Sequence, residues 1–95
     1  MLIVNVHFQA KAGKEEDLKD TLLGLIPPTR SERGCVQYDL HYDPDDPSKF
    51  MFYEIWTNKE ELDKHLEMPY LAAFRARMPE LLAVPLQLTL WNKFD

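Results

Sequence analysis

Apolar and polar residues alternate from the second residue onward. Leu2, Val4, Val6 and Phe8 share one parity, and Ile3, Asn5, His7 and Gln9 the other. This period of two predicts a strand with one apolar face and one mixed face. Beyond Gly13, Lys14-Glu15-Glu16 opens a helix, with acids in the first turn where the helix dipole favours them. Leu18, Leu22, Leu25 and Ile26 recur at helical spacing until Pro27-Pro28, which ends or kinks the helix. Gly34 marks a break before a second strand, Cys35 to Tyr42, and a third runs from about Lys49 to Trp56. The turn cluster Asp43-Pro44-Asp45-Asp46-Pro47 joins them into a hairpin with a long loop. Asn58 and Glu61, three apart, form a capping-box signature. Leu62, His65 and Leu66 follow on one helical face, and Pro69 suits the first turn of a new helical segment. Leu71, Phe74, Met78 and Leu81 or Leu82 continue the apolar stripe to Pro85. Leu86, Leu88 and Leu90 then alternate with Gln87, Thr89 and Trp91 in a last strand.

The order is βαββαβ, which predicts an α+β, ferredoxin-like fold: two helices on one face of a four-stranded antiparallel sheet, in a single domain over residues 1–95. An antiparallel sheet with one wet face should alternate cleanly. The third strand does not, because Met51, Tyr53 and Ile55 alternate with Phe50, Phe52, Glu54 and Trp56. A second subunit's sheet is therefore expected over the face away from the helices, making a homodimer.

Composition narrows the partners. With 95 residues the chain buries a modest fraction of its surface, so pairing with a second copy helps. A net charge of −5 repels phosphate backbones and argues against nucleic-acid binding. The single cysteine, Cys35, permits neither an internal disulfide nor a thiolate metal cluster and fits a reducing compartment. It reads as a small buried filler rather than a nucleophile. The first residues lack a basic region before the apolar run, and that run is too short to span a bilayer. The expectation is a cytoplasmic protein without membrane association. Asp43, Asp45 and Asp46 hint at calcium. Their loop lacks a central glycine, however, and sets Pro47 at a ligand position of an EF-hand frame, so it reads as a turn.

The ordered set Pro28-Thr29-Arg30, Gly34-Cys35, Tyr38-Asp39-Leu40-His41, Asp43-Pro44-Asp45-Asp46-Pro47, Phe50 to Trp56, His65 and Pro69 resembles the antibiotic-biosynthesis-monooxygenase family over nearly the whole chain. Its most telling part is Tyr53-Glu54-x-Trp56, a short polar run, and His65 nine residues after the tryptophan. The resemblance implies a homodimer whose two sheets face each other in an α+β barrel, with a pocket in each subunit between sheet and helices. Members of that family include quinol and polyketide oxygenases that use no flavin or metal, haem-degrading enzymes, and a branch acting on a phosphorylated signalling sugar. Many relatives carry Pro-His where this chain has Pro69-Tyr70, so a phenol stands in place of an imidazole. Arg75 and Arg77, rather than a further histidine, follow in the second helix, which weakens a haem-degrading reading.

Candidate chemistry centres on His65. It shares a helical face with Leu62 and so points inward. An imidazole with an ordinary pKa near ~6.5 accepts a proton at neutral pH. It is either a base or a buried, hydrogen-bonded structural histidine. Glu54 lies between Phe52 and Trp56 on one strand face and needs a partner there. That partner is either His65, which Glu54 would orient, or a Lys or Arg near a strand end. Trp56 and Phe52 offer apolar walls for an aromatic substrate or ordinary core packing. Tyr70 and Phe74, four apart, form a lid wall or core, with the Tyr70 hydroxyl as a donor. Arg75 is either part of a charged helix face or a holder of an anionic substrate. Asn5 and His7 fall on the inter-subunit side of the first strand, and His41 on a solvated edge strand.

The leading expectation is a cofactor-free monooxygenase that joins O2 to a small phenolic or quinol compound, with His65 and Glu54 catalytic and Trp56, Tyr70, Phe74, Phe52 and Arg75 against the substrate. No flavin, haem or metal is expected. The chain has no glycine-rich phosphate loop, and its histidines are scattered. Two alternatives stand beside it: an enzyme that isomerises or processes a small phosphorylated metabolite, with Arg75 as its cation, and a non-catalytic small-molecule-binding dimer.

Overall fold

A computed structural model describes residues 1–95. Eight elements follow one another: β1 (Leu2–Gln9), α1 (Glu15–Gly24), α2 (Ile26–Arg30), β2 (Cys35–Tyr42), β3 (Lys49–Trp56), α3 (Lys59–Leu66), α4 (Pro69–Leu81) and β4 (Gln87–Asn92). The strands form one antiparallel sheet in the order β2-β3-β1-β4, the ferredoxin-like arrangement. Hence the first strand is central, and its apolar parity becomes the floor of the core. Val4, Val6 and Phe8 point toward the helices, and Val4 and Val6 lie opposite Glu54 and Phe52 of β3.

Local sequence explains the helix boundaries. Pro27 and Pro28 do more than end the first helix. They sit in the first turn of the separate helix α2, where a missing N–H costs no intrahelical bond. Asn58 caps α3 by accepting from the Glu61 N–H at 2.9 Å. Glu61 does not return the bond, because its side chain pairs with Arg33 and Lys64 instead. The last strand starts one residue beyond Leu86 and runs to Asn92.

Sixteen buried apolar residues make one core between sheet and helices. Phe8, Phe52 and Phe74 meet edge-on within it, and Tyr38 stacks on Phe52 with ring centres 4.3 Å apart. The helices stop short of the β4 edge, where Leu88 and Leu90 remain 38% and 43% exposed. On the opposite sheet face Ile3, Asn5, Met51, Tyr53 and Ile55 are half-buried. No helix is long and apolar enough to cross a membrane.

Candidate active site

The inward face of α3 delivers His65 to the sheet. Its side chain is 2% exposed, and Nδ1 lies 2.7 Å from Oε2 of Glu32 in the loop after α2. The same carboxylate oxygen accepts the Tyr70 hydroxyl from the first turn of α4. The ring's hydrogen bond to the protein runs through Nδ1 and not Nε2. Trp56, fully buried at the end of β3, lies against the imidazole with ring centres 4.6 Å apart, and Tyr38 meets it edge-on at 5.6 Å.

Glu54 is buried as well. Its Oε1 accepts the Trp56 indole N–H at 2.8 Å, and Tyr38 of β2 sits opposite it in the strand register. Burial pushes its carboxyl up to about 7, the indole N–H pulls it partly back, and the negative charge of Glu32 raises it again. Burial lowers the His65 pKa from its ordinary value, against the opposing pull of Glu32, so the ring is neutral at neutral pH. Burial also holds the Tyr38 and Tyr70 phenols protonated, and Glu32 adds to this at Tyr70. Desolvation moves the Cys35 thiol up to about 11, which leaves it protonated and unreactive.

Of these groups, Tyr38, Glu54 and His65 border a cavity of about 260 Å³ between the sheet and α3–α4, walled mainly by apolar side chains. Its polar lining is confined to Tyr38, Glu54, His65 and Arg75. Arg75 is exposed, and its Nη1 donates to the Leu66 carbonyl at 2.7 Å, across the junction of α3 and α4. A larger hollow of about 580 Å³ lies between α1–α2 and the edge strand β2. There Lys19 pairs with Glu16 and Arg30 with Asp39, each at 2.9 Å, and none of its charged side chains is buried. The buried ionisable side chains, Glu54 and His65, line the smaller cavity.

Of the residues singled out from sequence, His65, Glu54, Phe52, Phe74 and Arg75 all line this cavity. Trp56 and Tyr70, expected at the wall, stand behind it: Trp56 holds Glu54, and Tyr70 holds Glu32. Glu54 orients neither His65 nor a cation, because the indole N–H takes its place as partner. His7 and His41 are exposed, outside the cavity. Sequence reasoning missed Glu32 and Tyr38. Arg30-Ser31-Glu32-Arg33 reads as a solvated charged turn, with no periodicity to turn Glu32 inward. Tyr38 carried a usable signal, since it shares its strand parity with Leu40 and Tyr42.

Sheet order, one helical layer and an aromatic cavity with a buried imidazole define the class: a ferredoxin-like α+β domain with an internal cavity between sheet and helices. The chain belongs to the antibiotic biosynthesis monooxygenase family, whose profile matches residues 1–77. It is 32% identical to "Putative monooxygenase Rv0793" of Mycobacterium tuberculosis over 92 residues, covering 97% of this chain and 90% of that one. The solved structure of Rv0793 superposes with a TM-score of 0.93 at 30% identity, covering 99% of this chain and 95% of that one. PA3566 from Pseudomonas aeruginosa gives 0.94 at 29% identity, with 99% and 94% covered. An uncharacterised protein of Synechocystis, sll1783, is 32% identical over 91 residues; they are 96% of this chain but 62% of that longer relative. The family and the name of Rv0793 support a monooxygenase-like role.

Proposed function

We propose that the protein is a cofactor-independent monooxygenase of a small, uncharged hydroxyarene of the quinol type, bound in the cavity beside His65. The observation that carries this reading is a neutral, buried imidazole with one unpartnered nitrogen on the wall of a mainly apolar cavity. The volume lies just below the roughly 300–1,000 Å³ usual for small-molecule sites, which suits one or two aromatic rings. Phe8, Phe52 and Phe74 supply flat apolar walls. A phosphorylated substrate fits poorly, because the one cation at the cavity, Arg75, is partly occupied by the Leu66 carbonyl.

The chemistry needs no group beyond substrate and O2. His65 takes the phenolic proton, and the aryl oxide gives one electron to O2. The resulting superoxide and aryl radical combine into a ring peroxide anion, which takes the proton back from His65 to become a hydroperoxide. His65 then removes the proton on that ring carbon; the O–O bond breaks, leaving a quinone carbonyl and hydroxide, which the imidazolium protonates to water. Hydroxyarene plus O2 thus gives quinone plus water. Glu54 is a second group that exchanges protons near neutrality in the same cavity.

The sheet face away from the helices, with Ile3, Met51, Tyr53 and Ile55 half-buried, supports a homodimer joined through sheets. The buried Asn5 Oδ1 there has no partner within the chain.

Oxygen uptake over a panel of one- and two-ring quinols tests the reading. His65→Ala is expected to lower turnover by roughly 10²–10⁴-fold, the contribution of a positioned base, with a smaller change in KM. Full turnover in that variant would make His65 structural. Binding without oxygen uptake across the panel would make the protein a non-catalytic binder.

A further inference from the structure

We infer that Glu32 is the positioning residue that sets His65 as a base at Nε2, with Tyr70 clamping Glu32 from the other side. The inference rests on His65 as the base and adds how that base is prepared. Its basis is one oxygen atom. Glu32 Oε2 receives both His65 Nδ1, at 2.7 Å, and the Tyr70 hydroxyl. A carboxylate oxygen can only accept, so both neighbours must donate. For a neutral imidazole this places the hydrogen on Nδ1 and leaves the lone pair on Nε2, the nitrogen without a protein partner. The opposite tautomer would set a lone pair against a carboxylate in a site where Glu32 is 8% and His65 2% exposed.

The clamp draws on three parts of the chain. Glu32 comes from the loop before β2, His65 from α3 and Tyr70 from α4. The backbone fixes that loop at both ends, with the Glu32 N–H donating to the Thr29 carbonyl at 3.0 Å and the Glu32 carbonyl accepting from Cys35 at 3.1 Å. Trp56 on one side and Tyr38 at the edge hold the imidazole plane. The titratable and charged groups around the ring are Glu32, Tyr38, Tyr70 and, lining the same cavity, Glu54 and Arg75. Glu32 alone among them hydrogen-bonds the ring, so its charge governs how tightly the imidazole holds a proton. The Tyr70 hydroxyl disperses part of that charge. This gives the phenol a task that an imidazole at position 70 would perform differently: it donates to Glu32 without competing for the proton that His65 removes.

Nitrogen-15 NMR of the imidazoles in the full-length protein, at about pH 8 where the ring is neutral, tests this without any substrate. The wild type is expected to show His65 with a hydrogen on Nδ1 and a bare Nε2, distinct from exposed His7 and His41. Glu32→Ala is expected to release the ring toward the Nε2–H form and to lower kcat by about 100-fold with KM little changed. Tyr70→Phe is expected to keep the tautomer and raise the His65 pKa, since the carboxylate then turns its full charge on the ring. A wild-type ring bare at Nδ1, or an unchanged tautomer in Glu32→Ala, overturns the inference. Should Glu32→Ala fail to fold, Glu32→Gln keeps the shape and removes the charge. It must then lower the His65 pKa, and an unchanged value overturns the inference. Failure of the oxygenase reading looks different: the tautomer responds to Glu32, yet His65→Ala costs no turnover.

Discussion

Glu54 and His65 sit in one cavity wall, and burial acts on them in opposite directions. For Glu54 the folded pKa is about 7 against an ordinary 4.5. Below the ordinary value the carboxyl is protonated whether the chain is folded or not. Between the two values only the unfolded chain ionises, so stability falls as pH rises through that window. Above about 7 the loss is complete, on the order of 3 kcal/mol. His65 runs the other way. Its folded pKa lies below 6.5, so stability falls as pH drops beneath that value and the unfolded chain takes up the proton. Glu54→Gln isolates the first effect, because the amide still accepts the Trp56 N–H and His65 is unchanged. Urea unfolding of the two proteins is expected to favour the variant increasingly between roughly pH 5 and pH 7 and to level off above. A difference that stays flat with pH would mean that Glu54 ionises as freely in the fold as in water.

At the level of elements, the site depends on how closely α3 seats on the start of β2. A Cβ on Gly34 would fall 2.2 Å from the Cβ of Glu61. That atom is the root of a side chain, so relief requires movement of the helix that carries His65. Gly34→Ala is expected to cost about 1–3 kcal/mol, as overpacking does, and to shift the His65 imidazole resonances. Unchanged melting and spectra would show that the helix has slack there. The elements themselves were largely legible in the sequence. Period-two alternation flanked by Gly34 and the aspartate-proline turn delimits β2 and β3, and the capping asparagine marks the start of α3. The inward orientation of His65 followed from its spacing to Leu62. Glu32 was not legible, because its role comes from a contact 33 residues away in sequence and from a loop without period. Nor was the partner of Glu54. Strand parity puts Glu54 and Trp56 on one face, but it cannot say that the indole N–H bends back to the carboxylate.

At the level of the whole molecule, one face of the sheet lines the cavity, and the other carries half-buried side chains away from the helices. Tyr53 and Ile55 of β3, Ile3 of β1 and Trp91 of β4 lie on that outer face. Light scattering at micromolar concentration is expected to give the mass of two chains, and a folded, stable monomer would contradict sheet-to-sheet pairing. The inner face lines the cavity, and labelled oxygen distinguishes oxygenation from oxidation there. In a single turnover under ¹⁸O2 with a quinol from the active panel and the product trapped at once, the product should carry one labelled oxygen atom and water the other. A product without label, with both labelled atoms in peroxide or water, would make the protein an oxidase or a bystander to autoxidation and would contradict the monooxygenase reading.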